Sequence, residues 1–218
     1  MPNDIVIYTK KNHVAYITLN RPEVDNIINQ QLTQEMEDIC CKINQDDDIY
    51  VVVITGAGDR AFCSGSEVKM NVAAAVASID RPVIAAINGD ALREGLELAL
   101  SCDIRLASDK ARFGLPQVAS GIIPMNGGTQ RLPRLVGRGK ALELILTAET
   151  ISAEEALEIG LVSKVVPQGK LASEAEALAQ TIASKAPIAL RYIKEAVNKG
   201  MDLTLEQGLN PSLYLLLL

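Results

Sequence analysis

With 218 residues the chain is long enough for one domain, or one domain with an appendage, around a substantial buried core. A hydrophobic content of 48% excludes a disordered chain, and a net charge of −6, from 21 basic and 27 acidic residues, excludes a broad nucleic-acid surface. Any phosphate on a ligand would have to meet a local basic spot.

The chain opens Met1-Pro2-Asn3-Asp4, with neither a basic nor an apolar targeting segment, which predicts a cytoplasmic protein. Residues 5–9 and 14–19 are β-rich runs that predict a hairpin, and Asn20-Arg21-Pro22 stops the second strand. His13, the only histidine, falls at the turn, where a solvated residue with no catalytic part is expected. Over residues 29–43, Leu32, Met36, Ile39 and Ile43 recur at helical spacing and predict a core-packing helix. Asp46-Asp47-Asp48 reads as a solvated turn into 49–55, a near-continuous β-branched run that predicts a strand covered on both faces. Residues 72–79 suit a helix, 82–87 a strand, and Gly127-Gly128 a turn before a helix from Thr129. Leucines over 140–146 space a further helix. Ser152-Ala153-Glu154-Glu155 reads as a capping box and Gly160 as the end of its helix. Residues 162–166 predict a short strand, followed by amphipathic helices over 171–185 and 188–199. The terminal leucines, 215–218, are too few to span a bilayer, so no membrane association is expected. Cys40, Cys41, Cys63 and Cys102 fall in no zinc-like spacing, which predicts buried free thiols and no metal site.

One carboxylate is anomalous. Glu97 lies within Leu96-Glu97-Leu98-Ala99-Leu100. Burial there would raise its pKa toward neutrality, as an acid/base group requires. Two other readings stay open at this point: a position on the solvent face of an amphipathic helix, or an ordinary pair with Arg93 four residues earlier.

The stretches Arg81-Pro82-Val83-Ile84-Ala85-Ala86-Ile87-Asn88-Gly89, Phe113-Gly114-Leu115-Pro116, Gly121-Ile122-Ile123-Pro124 and Gly127-Gly128-Thr129-Gln130-Arg131-Leu132 resemble the crotonase superfamily of enoyl-CoA hydratases and isomerases. With Glu97-Leu98-Ala99 and Ala156-Leu157-Glu158-Ile159-Gly160-Leu161-Val162, the likeness runs from about residue 14 to 207. It implies an α/β crotonase-like (ClpP/crotonase) spiral of ββα units over residues 1–166. An apparently truncated C-terminal helical oligomerisation region, residues 167–218, would follow. It also implies homotrimers, often paired into hexamers, an acyl-CoA substrate, and no cofactor beyond the coenzyme A of that substrate.

The same resemblance assigns roles. Ala61-Phe62-Cys63-Ser64-Gly65-Ser66 is similar to the family's first oxyanion loop, with the backbone N–H of Ser66 as one donor to the thioester oxygen. The second donor position is Glu94, where the family carries glycine, as it does at Arg93. Glu97 matches the catalytic glutamate. Gln117 stands where hydratases place a second glutamate; an amide binds water but carries no proton at neutral pH. Ala61, Phe62, Ser64, Gly65, Met125, Asn126 and Gly127 match substrate-lining positions, with Met125 and Asn126 bulkier than usual. The connection over 67–80 is short. Lys194 and Lys199 read as exposed helix lysines, with contact to coenzyme phosphates as the alternative. The implied function is hydration of an α,β-unsaturated acyl-CoA, or its reverse, through an oxyanion-stabilised enolate. The alternatives are a non-catalytic acyl-CoA-binding protein, or another enolate reaction such as isomerisation.

Overall fold

A computed structural model describes residues 4–67 and 70–209; residues 1–3 and the apolar stretch 210–218 lie outside it. The predicted hairpin forms from β1 (Val6–Lys11) and β2 (Val14–Leu19), antiparallel, with Val6 facing Leu19. Both turn residues have positive φ, 50° at Asn12 and 63° at His13, as a primed two-residue turn demands. The His13 ring stacks on Tyr50, with centroids 4.3 Å apart, and its Nδ1 lies 3.0 Å from Asp48 O, which holds the turn residue in place. α1 (Gln30–Gln45) begins where Asn29 caps it, its side chain accepting from Leu32 N–H at 2.8 Å. The apolar face foreseen in the sequence is buried along its length.

Three successive units then repeat one plan. β3 (Val51–Gly56), β5 (Val83–Ile87) and β7 (Ile104–Ser108) lie side by side and parallel in a six-stranded sheet ordered β1-β2-β3-β5-β7-β10, where β10 is Lys164–Val166. Each is followed by a three-residue strand, β4 (Ala61–Cys63), β6 (Asp90–Leu92) and β8 (Arg112–Gly114), which steps into a second sheet closed by β9 (Thr150–Ser152). A helix or turn completes each unit: α2 (Val72–Ala77), α3 (Glu94–Ser101), and the 3₁₀ turn Pro116–Ser120 leading to α4 (Gly128–Val136). This is the spiral of ββα units that the motifs imply.

Alternation along β3 shows how the large sheet is covered on both faces. Val52 and Ile54 join the cluster containing Leu32, Met36 and Leu98, while Val51 and Val53 face the other way, onto Leu171, Ala175 and Ala179. Those three residues belong to α7 (Leu171–Ala183), so the sheet's second face is covered by the C-terminal part of the chain. Between these lie α5 (Arg138–Thr147) and α6 (Ala153–Glu158). Ser152 caps α6 by accepting from Glu155 N–H, but Glu155 pairs with Lys140 instead of reaching back, so only half of the expected capping box forms. Gly160, at φ 76°, closes the helix as expected.

α8 (Pro187–Gly200) behaves differently from α7. No residue in it is buried, and Ile188, Ile193 and Val197 are exposed along it, with Met201 just beyond its end. Polar ties hold it: Lys194 Nζ lies 2.8 Å from Asp103 Oδ2 and donates to Arg81 O at 2.9 Å, and Arg191 pairs with Asp47. Lys194 is therefore neither the exposed lysine nor the free phosphate ligand of the sequence reading, because Asp103 and a carbonyl engage it. Lys199 pairs with Glu195 on the surface. The short α9 (Leu205–Gly208) follows. Among the described residues no helix is long and apolar enough to cross a membrane.

Candidate active site

The first wall of the site is the loop after β4, and two buried asparagines fix its path. Asn26 Nδ2 donates to Ala57 O and Ala61 O, and Asn88 Nδ2 donates to Gly58 O and Ala61 O, all within 3.1 Å. Beyond the strand, Ser64 N–H donates to Asp25 O and Ile28 N–H to Gly65 O. Isolated asparagines carry no sequence signal of this kind, so neither was foreseen. Ala61 and Phe62, expected to line the pocket, have side chains in the core. Strand β4 alternates between two packed surfaces, so these residues place the loop instead of presenting side chains to a ligand. Ser64 and Ser66 are half-buried at the loop itself.

α3 lies directly against this loop. A Cβ on Gly95 would stand 1.8 Å from Cys63 O, so only glycine permits the approach. The helix starts from Arg93, whose φ of 53° and ψ of −125° form a conformation that side-chain-bearing residues rarely adopt. Glu94, the first helical residue, has no intrahelical acceptor for its N–H. Its carboxylate sits beside the loop, with Oε2 3.2 Å from where a Cβ on Gly65 would be.

One turn further on, Glu97 is 0% exposed. All of α3 from Gly95 to Ser101 is buried, so the helix has no solvent face for Glu97 to occupy. The charges acting on it come from Glu94 and Arg131, not from the exposed Arg93. Both ordinary readings of this carboxylate are thereby corrected. Oε1 accepts from the N–H groups of Asn126 at 2.7 Å and Gly128 at 2.8 Å. Burial pushes the carboxyl pKa up, and the Glu94 charge adds to this; the two N–H donors and the Arg131 cation oppose the rise without cancelling it.

The second wall is the 3₁₀ turn and the loop after it. Gln117 is 3% exposed, with Nε2 3.5 Å from Glu97 Oε2 and its own Oε1 buried without a hydrogen-bond partner. Asn126 serves the site twice, through its N–H and through Nδ2, which donates to Met70 O at 2.7 Å. Arg131 Nη1 donates to Asn126 O and steadies the same loop. Gly127, at φ 104°, opens α4, and Met125 is 70% exposed at the rim. The structure thus brings Glu97, Gln117, Asn126 and Gly127 together, with Glu94, Gly65 and the Ser66 loop alongside. Met70 and Arg131 complete the set without having been singled out in the sequence.

The thiols take no visible part. Burial pushes Cys40, Cys63 and Cys102 up to about 12, which keeps them protonated, while Cys41 is exposed, contrary to expectation, because it falls on the outer face of α1. No cluster of three or more metal-binding side chains occurs among the described residues.

A sequence profile described as enoyl-CoA hydratase/isomerase matches residues 9–216. The chain belongs to the enoyl-CoA hydratase/isomerase family. It is 43% identical to the short-chain-enoyl-CoA hydratase of Clostridium acetobutylicum, over 94% of this chain and 85% of that one. It is 39% identical to the crotonyl-CoA hydratase of Syntrophomonas wolfei, over 96% and 87%. The crystal structure of an enoyl-CoA hydratase from Bacillus anthracis matches with a TM-score of 0.91 at 42% identity, covering 94% of this chain and 87% of that one. The alignment to the Clostridium protein runs over 221 residues, more than the 218 of this family member, although only 94% of this chain takes part. That relative therefore carries residues with no counterpart here.

Proposed function

We propose that this protein adds water to an α,β-unsaturated acyl-CoA, and catalyses the reverse elimination, with Glu97 as its proton-transfer group. The observation that carries the reading is the wholly buried Glu97 carboxylate, with one oxygen fixed by two backbone donors and the other facing the Gln117 amide. A carboxylate placed this way is oriented by its bonded oxygen and reactive at its other one. Its raised pKa lets it hold a proton part-way through a reaction near neutrality.

In the proposed cycle the thioester oxygen lies against the N–H groups of Ser66 and Glu94, donors assigned from the family resemblance. Glu97 Oε2 takes a proton from water as the water oxygen bonds to the β-carbon. The π-electrons of the double bond move to the thioester as an enolate, which the two N–H groups stabilise. Glu97 then returns the proton to the α-carbon, leaving a 3-hydroxyacyl thioester. Gln117 transfers no proton; its Oε1, which has no partner of its own, accepts from the water and holds it beside Glu97. These steps use only this chain's residues and the coenzyme A ester. Names carried by relatives, crotonyl-CoA hydratase and short-chain-enoyl-CoA hydratase, support the substrate class.

We further assign residues 1–166 as the catalytic core and 167–218 as a C-terminal helical region in which α7 packs on the core sheet and the part from α8 onward joins subunits into trimers or hexamers, in the cytoplasm. Exposed apolar residues on and just after α8 support the second assignment. A second reading, binding of acyl-CoA without turnover, draws on Gln117 and on the Glu94 carboxylate beside Gly65. Loss of the enoyl absorbance of crotonyl-CoA on adding enzyme supports hydration. Raised melting temperature with crotonyl-CoA but no turnover supports binding alone. A hundredfold excess over the dissociation constant should add about 2.7 kcal/mol, and no shift with any acyl-CoA would remove both readings.

A further inference from the structure

The two backbone donors that hold Glu97 Oε1 sit on either side of a glycine. Asn126 N–H and Gly128 N–H reach that oxygen at 2.7 and 2.8 Å, with Gly127 between them at φ 104°. In a trans peptide the C=O points opposite to the N–H, so the unit that aims Gly128 N–H at Glu97 turns Gly127 O away from it. That oxygen accepts from Arg131 N–H at 2.7 Å and from Gln130 N–H at 3.0 Å. The preceding peptide unit is held by the Arg131 side chain, whose Nη1 donates to Asn126 O at 2.9 Å. Arg131 thus grips two successive peptide units, one through its main chain and one through its side chain. Glycine permits this: a Cβ on Gly127 would stand 2.3 Å from Nη1 and 3.0 Å from Cζ, so the guanidinium lies directly on the loop.

The charge of Arg131 reaches the same carboxylate. The side chain is half-buried, and the foremost charge acting on it is that of Glu97, ahead of Cys102, whose thiol stays protonated. From the side of Glu97, burial and then the Glu94 charge on its own helix raise the pKa, while the two N–H donors and the Arg131 cation on α4 lower it. The other elements beside α3 bring no free charge to it. β4 offers the Cys63 thiol, pushed up to about 12 by burial, β6 carries Asp90, which Arg112 engages, α2 is made of valine and alanine, and Gln117 is neutral.

We propose that Arg131 is a positioning residue for the proton-transfer carboxylate: its guanidinium locks the 126–128 loop so that two N–H groups stay aimed at Glu97 Oε1, and it sets a cation behind them. This rests on the hydratase reading for what Glu97 does, and not for where Arg131 stands.

Arg131→Met removes both the grip and the charge, whereas Arg131→Lys keeps the charge on a single-point donor. With crotonyl-CoA, Arg131→Met should lose about 10²-fold in kcat, the scale of a misplacement of about 1 Å, with thioester affinity retained. Hydration needs Glu97 ionised, so activity falls on the acid side as Glu97 takes up its proton. That limb of the kcat/KM profile should move to higher pH in Arg131→Met and stay in place in Arg131→Lys. An unmoved limb in folded Arg131→Met overturns the proposal even if kcat falls, since a merely structural role would lower kcat alone; an unchanged kcat overturns it too. NMR titration of the Glu97 carboxyl carbon, identified by its loss in Glu97→Gln, reads the same shift without turnover. There Arg131→Gln, whose amide can still donate to Asn126 O, serves even where Arg131→Met does not fold. Glu97 should titrate at higher pH in Arg131→Gln than in wild type, and equal titration overturns the proposal. A shifted titration in a protein that leaves crotonyl-CoA untouched would support Arg131 and count against the hydratase reading.

Discussion

At the scale of single residues, Glu97, the proposed proton-transfer group, destabilises the fold when ionised. Its folded pKa is raised above the ordinary carboxyl value of about 4.3, so the native state binds the proton more tightly than the unfolded state does. Stability on this account falls as pH climbs from the unfolded pKa through the folded one. Glu97→Gln should therefore melt higher than wild type at neutral pH, and the gap should narrow as pH falls through the raised folded pKa and be closed below about 4.3; thermal melts across that range check both sign and window. Gln117→Glu should raise hydration, because a second carboxylate can share the proton transfers. General acid–base groups contribute roughly 10²–10⁴-fold, an upper limit here because another negative charge beside Glu97 and Glu94 raises at least one pKa further. Unchanged crotonyl-CoA hydration in folded Gln117→Glu would assign Gln117 a purely neutral role. Of these residues, Glu97 was legible as a carboxylate among leucines, and Gln117 through its motif. The tie from Asn126 to Met70 was not, since it joins residues 56 positions apart and neither belongs to a periodic pattern.

At the scale of elements, long patterned stretches were readable and most short ones were not, the three-residue β10 inside the predicted 162–166 strand being the exception. β3 and β5 announce themselves by unbroken apolar runs, and α1 by its spacing. β4, β6, β8 and β9 are three residues each, too short for a period of two to register. β7 is interrupted by Arg105, a buried arginine that donates to Leu161 O and Cys102 O and so belongs inside the sheet despite its charge. The sequence therefore conveyed the ββα plan through its motifs while leaving the second sheet unseen. α3 carries the most local strain, at Arg93. A non-glycine residue in such a conformation costs of order 1–3 kcal/mol, partly offset by the flexibility that glycine brings to the unfolded chain. Arg93→Gly should accordingly stabilise the protein by about 1 kcal/mol in urea unfolding; a destabilised variant would mean that the arginine side chain contributes contacts that outweigh the strain.

At the scale of the whole molecule, α7 belongs to the core while α8 rests on polar ties and leaves Ile188, Ile193 and Val197 in water. An apolar stripe of this kind on a helix is ordinarily covered. Sedimentation at micromolar concentration should find a trimer or hexamer, and Val197→Asp should shift it toward monomer; a wild-type monomer would contradict the assignment of the C-terminal region. The proposed chemistry rests on one carboxylate, Glu97. The direct test is steady-state hydration of crotonyl-CoA by Glu97→Gln, with thioester affinity measured alongside. The account predicts a fall in kcat of at least roughly 10²-fold with affinity retained, and a variant hydrating near the wild-type rate would contradict it.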